Sequence, residues 1–197
     1  MNRHSASAPI WIAGAGLFGY CISIVPSPAQ PGVFWVSNLS SPWLALAFFA
    51  GTSQRTVRGG ALAGALADIA CVVGFYLHFL LLDDSAGPRG HGSALVTRLA
   101  DNFSHWAAFI SPWIVFAVVG GALFGVLGLR WRQRRSMAAG IALGAAFAFE
   151  PVAWYVRNGS FESPVVIWLV ELMFGLLVMA LMFLYLRRSG GSCLPTE

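Results

Sequence analysis

AAFISPWIVFAVVGGALFGVLGLRWRQRR, residues 107–135, decides the fold. From Ala107 to Leu129 no residue is charged. At about 1.5 Å per residue this run can cross the ~30 Å hydrocarbon core of a bilayer as one helix. Arg130, Arg132, Arg134 and Arg135 follow it. Such a cluster stays on the cytoplasmic side, so the run also carries its own orientation.

Working outward, five further apolar runs cover roughly 9–26, 33–54, 59–82, 137–156 and 164–186. The expected fold class is all-α: a polytopic integral membrane helix bundle of six transmembrane helices. Composition agrees, with 57% hydrophobic and 10% charged residues, where soluble domains carry about 25% charged. One transmembrane domain, 1–197, leaves no stretch for a separate soluble domain. Arg3 precedes the first run as it would in a signal peptide. Pro26-Ser27-Pro28 follows the run in place of a small-residue cleavage site, so it is read as an uncleaved helix.

With six spans, Arg3, Arg55, Arg58, Arg130, Arg132, Arg134, Arg135, Arg187 and Arg188 share one side, and Arg89, Arg98 and Arg157 the other. Both termini are expected in the cytoplasm, with a tail over 187–197. All twelve basic residues are Arg. Together with abundant Ala and Gly, this points to a GC-rich bacterial genome and to a multi-pass place in the bacterial plasma membrane. The net charge of +4 sits at the ends of spans and forms no nucleic-acid-binding stripe. Asn-x-Ser triplets begin at Asn38, Asn102 and Asn158; they matter only in a glycosylating host.

Residues 83–106 form the longest outer loop. Asp83 to Pro88 is turn-like. Leu95, Leu99, Phe103 and Trp106 then recur at helical spacing, which predicts a short interfacial amphipathic helix over 94–106.

Ser41-Pro42-Trp43 recurs as Ser111-Pro112-Trp113 and, weakly, as Ser163-Pro164-Val165. Ser before Pro is a sound helix start. The partner runs carry Gly14-x-Gly16-x-x-Gly19, Gly60-x-x-x-Gly64 and Gly140-x-x-x-Gly144. The chain therefore reads as a three-hairpin repeat, each hairpin a Gly-rich helix out and a Ser-Pro-started helix back. Gly14-x-Gly16-x-x-Gly19 imitates a dinucleotide fingerprint, but no strand precedes it. These glycines, with Gly121-x-x-x-Gly125, are expected to let helix backbones approach closely. A helix from Pro42 to the polar residues at Thr52 is too short to cross, so the second span should be short or broken around Asn38–Pro42, leaving Asn38, Ser40 and Ser41 near a cavity mouth.

Asp68, Glu150 and Glu171 lie inside apolar runs. A carboxylate at a helix centre costs about 2.5–3.5 kcal/mol on insertion scales, so each must face protein, water or a partner. Asp68 shares a stripe with Gly60 and Gly64. Glu150 shares one with Ala142, Ala146 and Trp154, and Pro151 follows it. Glu171 shares one with Trp168 and Gly175. Glu150 and Glu171 fall at similar depth on sequential helices, about 10 Å below the outer surface. They are expected to line an outward-facing pocket walled by Trp154, Tyr155 and Trp168, with Arg157 in reach and His78 and Trp113 as further ligand-binding candidates. The competing reading makes each acid a protonated or ion-paired lock between helices. Cys21, Cys71 and Cys193 form no metal or disulfide pattern; neither metal nor cofactor is expected.

Asn38-x-Ser40-Ser41-x-Trp43 leading to Phe48-x-x-Gly51, Gly59-Gly60-Ala61-Leu62-Ala63-Gly64 followed by Tyr76, Gly121-x-x-x-Gly125-x-x-Gly128 before Trp131-Arg132, and Phe149-Glu150 together are meaningful. From about residue 33 the chain resembles an actinobacterial-type family of six-span membrane proteins of unknown function. The resemblance implies the fold class and a bacterial origin, and no activity. Pro42 and Pro151 depart from its usual pattern.

Three functions compete. The first is binding or translocation of a small apolar or amphipathic molecule. Six spans and both termini inside are similar to the substrate-binding subunits of energy-coupling-factor vitamin transporters, where Ala15 and Gly19 would dock a partner membrane subunit. The second is an enzyme on a lipid or isoprenoid, with Glu150, Glu171 and Asp68 as catalytic acids; its make-up is similar to the membrane terpene cyclases. The third is a scaffold or assembly factor with structural carboxylates. Expected partners are membrane lipid, a small-molecule ligand, and a second subunit or second copy; nucleic acid is not among them.

Overall fold

The computed structural model describes residues 7–24, 40–82, 95–159 and 165–190. Six helices follow in order: α1 (Ser7–Ile24), α2 (Ser41–Thr52), α3 (Val57–Leu82), α4 (Leu95–Arg134), α5 (Met137–Asn158) and α6 (Val165–Gly190). Among the described residues there is no strand. Four helices are long and apolar enough to cross a membrane, within α3, α4, α5 and α6. The remaining two are shorter, and α2, with 12 residues, is about 18 Å long. It is a half-helix, as its length in the sequence requires; Asn38 and the rest of 25–39 lie outside the described residues.

α2 is also the hub. It packs against α1, α3, α4 and α5. On one side Ala47 and Phe48 meet Phe124 of α4 and Ala139 and Leu143 of α5. On the other Ala50 joins Ala15 of α1 and Ala63, Ala67 and Cys71 of α3. Small residues at these crossings bring backbones together, the main source of association where lipid and protein interior are equally apolar. Gly125 is a point where three helices meet. A Cβ there would overlap the carbonyl oxygen of Gly60, and a Cβ on Gly51 or Gly64 would in turn strike the Gly125 backbone.

Three expectations need correction. The stretch from Leu95 to Trp106 is helical as expected, but it is no separate short helix: it runs without a break into the apolar run that follows, giving one 40-residue helix, with Phe103 exposed on it. Trp106 fastens that extension to α3 by donating to the Tyr76 carbonyl (2.8 Å). Second, Ser111-Pro112 does not start a helix; it lies inside α4. Pro112 has no N–H for the Ala108 carbonyl, and the Ser111 hydroxyl donates to that oxygen instead (2.9 Å). Only Ser41-Pro42 acts as a start; Ser163 and Pro164 lie outside the described residues. Third, α1 packs chiefly on α3 and little on α2, so the first hairpin of the proposed repeat is not closed like α3–α4 and α5–α6. Ala15 is fully buried and Gly19 abuts the Cys71 carbonyl, so the α1 face expected to receive a partner subunit is covered by α3.

α6 packs along α5. It presents Leu169, Val170, Met173, Phe174, Leu177 and Leu181 outward, all half-exposed. In a membrane protein such a surface is solvated by lipid. Beyond α5, side chains fasten α6 at two levels. Near the arginine-bearing end Tyr185 meets Trp131 (6.3 Å between rings) and lies under Arg135 (5.8 Å). The other fastening is the site described next.

Candidate functional site: an acid pair on a half-helix

The N-terminus of a helix leaves backbone N–H groups without intrahelical partners and carries about half a positive charge. In α2 these donors sit level with the middle of the apolar helices α5 and α6. Ser41 is about 18 Å from the arginine-bearing end of α2, Glu150 about 20 Å from Met137, and Glu171 about 21 Å from Tyr185. Three chains of helical rise thus bring one serine and two glutamates to the same level.

They meet there. The N–H of Ser40 donates to Glu150 Oε1, and the N–H of Ser41 donates to Glu150 Oε2 at 2.8 Å. The Ser41 hydroxyl donates to Glu171 Oε1. Ser41 is 1% and Glu171 6% exposed, so this is an interior junction rather than a surface contact. Ser40, the N-cap residue, makes no side-chain capping bond of its own. The Glu150 carboxylate of α5 caps α2 in its place, and Glu171 of α6 holds the Ser41 hydroxyl beside it.

At the far end of α2 the polarity is answered in the opposite sense. Arg132 Nη1 donates to the Thr52 carbonyl and Gln133 Nε2 to the Arg55 carbonyl, each at 2.8 Å. The half-helix is gripped by acids at its positive end and by a cation at its negative end. Arg132 reads in the sequence only as an orientation signal. Its bond to Thr52 exists because α2 stops short, which no local pattern reveals.

One oxygen is left over. Glu171 Oε2 is buried with no donor. The Glu150 and Glu171 carboxyls are close neighbours that act on each other electrostatically. Carboxylate oxygens only accept, so that closeness requires a proton or a cation at the pair. Among the described residues no arginine pairs with either acid; Arg157 is exposed.

One turn further along, Trp154 and Trp168 stack at 5.5 Å with ring planes 28° apart. They stand at i+4 from Glu150 and i−3 from Glu171, on the same helix faces. Trp168 is 2% exposed, and the buried Trp154 Nε1 has no acceptor. Tyr155 is half-exposed. Trp113 is 42% exposed beside Phe116 on the surface of α4 and does not join the junction. The side chain of His78 lies outside those described.

Asp68 stands apart. It is 3% exposed on α3, against Gly121 of α4, and α3 does not pack on α5 or α6 among the described residues. The three acids therefore form a pair and a separate single group. No cluster of three His, Cys, Asp or Glu suited to a metal occurs among the described residues.

These features define the class: an all-α membrane protein built around an acid-capped half-helix. The chain belongs to the Family of unknown function (DUF6518), whose pattern matches residues 3–88 and 91–196. A search of the curated proteins and of the solved structures gave no match.

Proposed function

We propose that the protein binds or translocates a small apolar or amphipathic molecule at the junction of α2, α5 and α6. The observation that carries this reading is the buried, donor-less oxygen of Glu171 at the N-terminus of a half-helix. Discontinuous helices whose ends face charged groups near the midplane are the recurring site geometry of secondary transporters. Polar backbone at that depth is tolerated where protein or a water-filled cavity surrounds it. A hairpin, α5–α6, that grips α2 through ion-capped N–H groups is also an element that ligand binding could release.

Native mass spectrometry tests the reading. Wild-type protein should retain a small molecule that Glu150→Gln, still folded, releases. Identical lipid complements in both proteins would leave the acids as a structural cap and favour the scaffold reading, which the bonds to Ser40 and Ser41 already suit.

The same proposal includes six crossings in the bacterial plasma membrane with both termini cytoplasmic. A reporter fused after Arg188 should behave as cytoplasmic and one inserted at Gly90 as external. The reverse pattern would overturn the orientation.

A further inference from the structure

We propose that the molecule taken at this junction is a hydrophobic ammonium: one positive charge on an apolar body, seated between Glu171 and the Trp154–Trp168 pair. The inference rests on the binding reading above and adds the ligand's charge and shape.

Charge comes first. Two carboxylates converge on one helix N-terminus, whose dipole supplies about half a positive charge. No described arginine pairs with either acid. The serine donors are neutral, so the pair holds either a shared proton or a cation; a cationic ligand can take the proton's place, and a neutral or anionic one cannot. Ion pairs buried in low dielectric are held only when each charge is answered.

The partner geometry selects the kind of cation. Of the four carboxylate oxygens, three accept from Ser40 or Ser41 and one, Glu171 Oε2, has no donor. A hard metal ion takes about six or more oxygens, and a single free oxygen cannot supply them. An ammonium needs one carboxylate and gains from aromatic faces. Indole is the best such face. Trp154 and Trp168 stack one turn from the acids on the same two helices, and Trp154 is the partly exposed member, open to a ligand's apolar body.

The test uses full-length protein in detergent micelles and isothermal titration. The probes are benzyltrimethylammonium, its neutral isostere neopentylbenzene, phenylacetate, and sodium chloride alone. The ammonium should bind, and the isostere and the anion should bind at least tenfold more weakly. Glu171→Gln should weaken the ammonium tenfold or more. Trp154→Leu should weaken it several-fold; it decides the matter if Glu171→Gln does not fold. Equal binding of ammonium and isostere, or unchanged ammonium binding in a folded Glu171→Gln protein, would overturn the proposal while leaving small-molecule binding in place. Sodium alone displacing the ammonium would overturn it in favour of a metal ion. If no probe binds, the charge of the molecule retained in native mass spectrometry decides: a cation upholds the proposal, and a neutral or anionic molecule overturns it. No probe bound and no molecule retained would remove both readings.

Discussion

Gly125→Leu should prevent the bundle from assembling. At this position α2, α3 and α4 cross with backbones in contact: Gly51 and Gly64 lie against Gly125, and Gly125 lies against the Gly60 carbonyl. A leucine side chain has no rotamer that clears both neighbours, so α2 and α3 must move off α4. Overpacking at one contact costs about 1–3 kcal/mol; with two helices displaced, a loss of about 3 kcal/mol or more is expected. In detergent this should appear as loss of monodisperse protein or a large fall in Tm. Gly14→Leu is the control, because nothing lies within 4 Å of a Cβ there. Both glycines belong to small-residue motifs in the sequence, and only one is at a crossing. Equal tolerance of the two substitutions would contradict the packing described.

Glu150→Leu should be the second large effect. It removes both acceptors of the Ser40 and Ser41 N–H groups. Stranding a buried donor costs about 1–3 kcal/mol. Ser41 is buried while Ser40 is exposed and can turn to water. A loss of about 2–4 kcal/mol is expected, together with faster amide hydrogen exchange at Ser41. The glutamine variant keeps one acceptor and should lose less. Unchanged exchange at Ser41 in Glu150→Leu would show that the carboxylate does not hold this helix end.

Much of this site is legible in the sequence. A carboxylate in an apolar run must face inward, and counting helical rise puts Glu150 and Glu171 at one depth. That the half-helix starts at Ser41 followed from a run too short to cross. What the acids do was not legible, because their donors are backbone N–H groups, which every residue but proline possesses. Ser111-Pro112 has the same local signature as Ser41-Pro42 and the opposite outcome; the difference is that Ser111 can return its hydroxyl to the Ala108 carbonyl and let the helix continue. Helix partners were the least legible feature. A lipid-facing and a protein-facing apolar stripe read alike, so the covering of the Ala15–Gly19 face by α3 could not be told from a free docking face.

A double-mutant cycle on Ser41→Ala and Glu171→Gln, read as unfolding free energy in detergent, tests most directly whether α6 grips the start of α2. The two side chains share one buried hydrogen bond, and bonds to charged groups contribute about 1.5–3 kcal/mol. A coupling of at least about 1 kcal/mol is expected. Effects that add to within about 0.3–0.5 kcal/mol, the behaviour of independent sites, would contradict the grip of α6 on the start of α2.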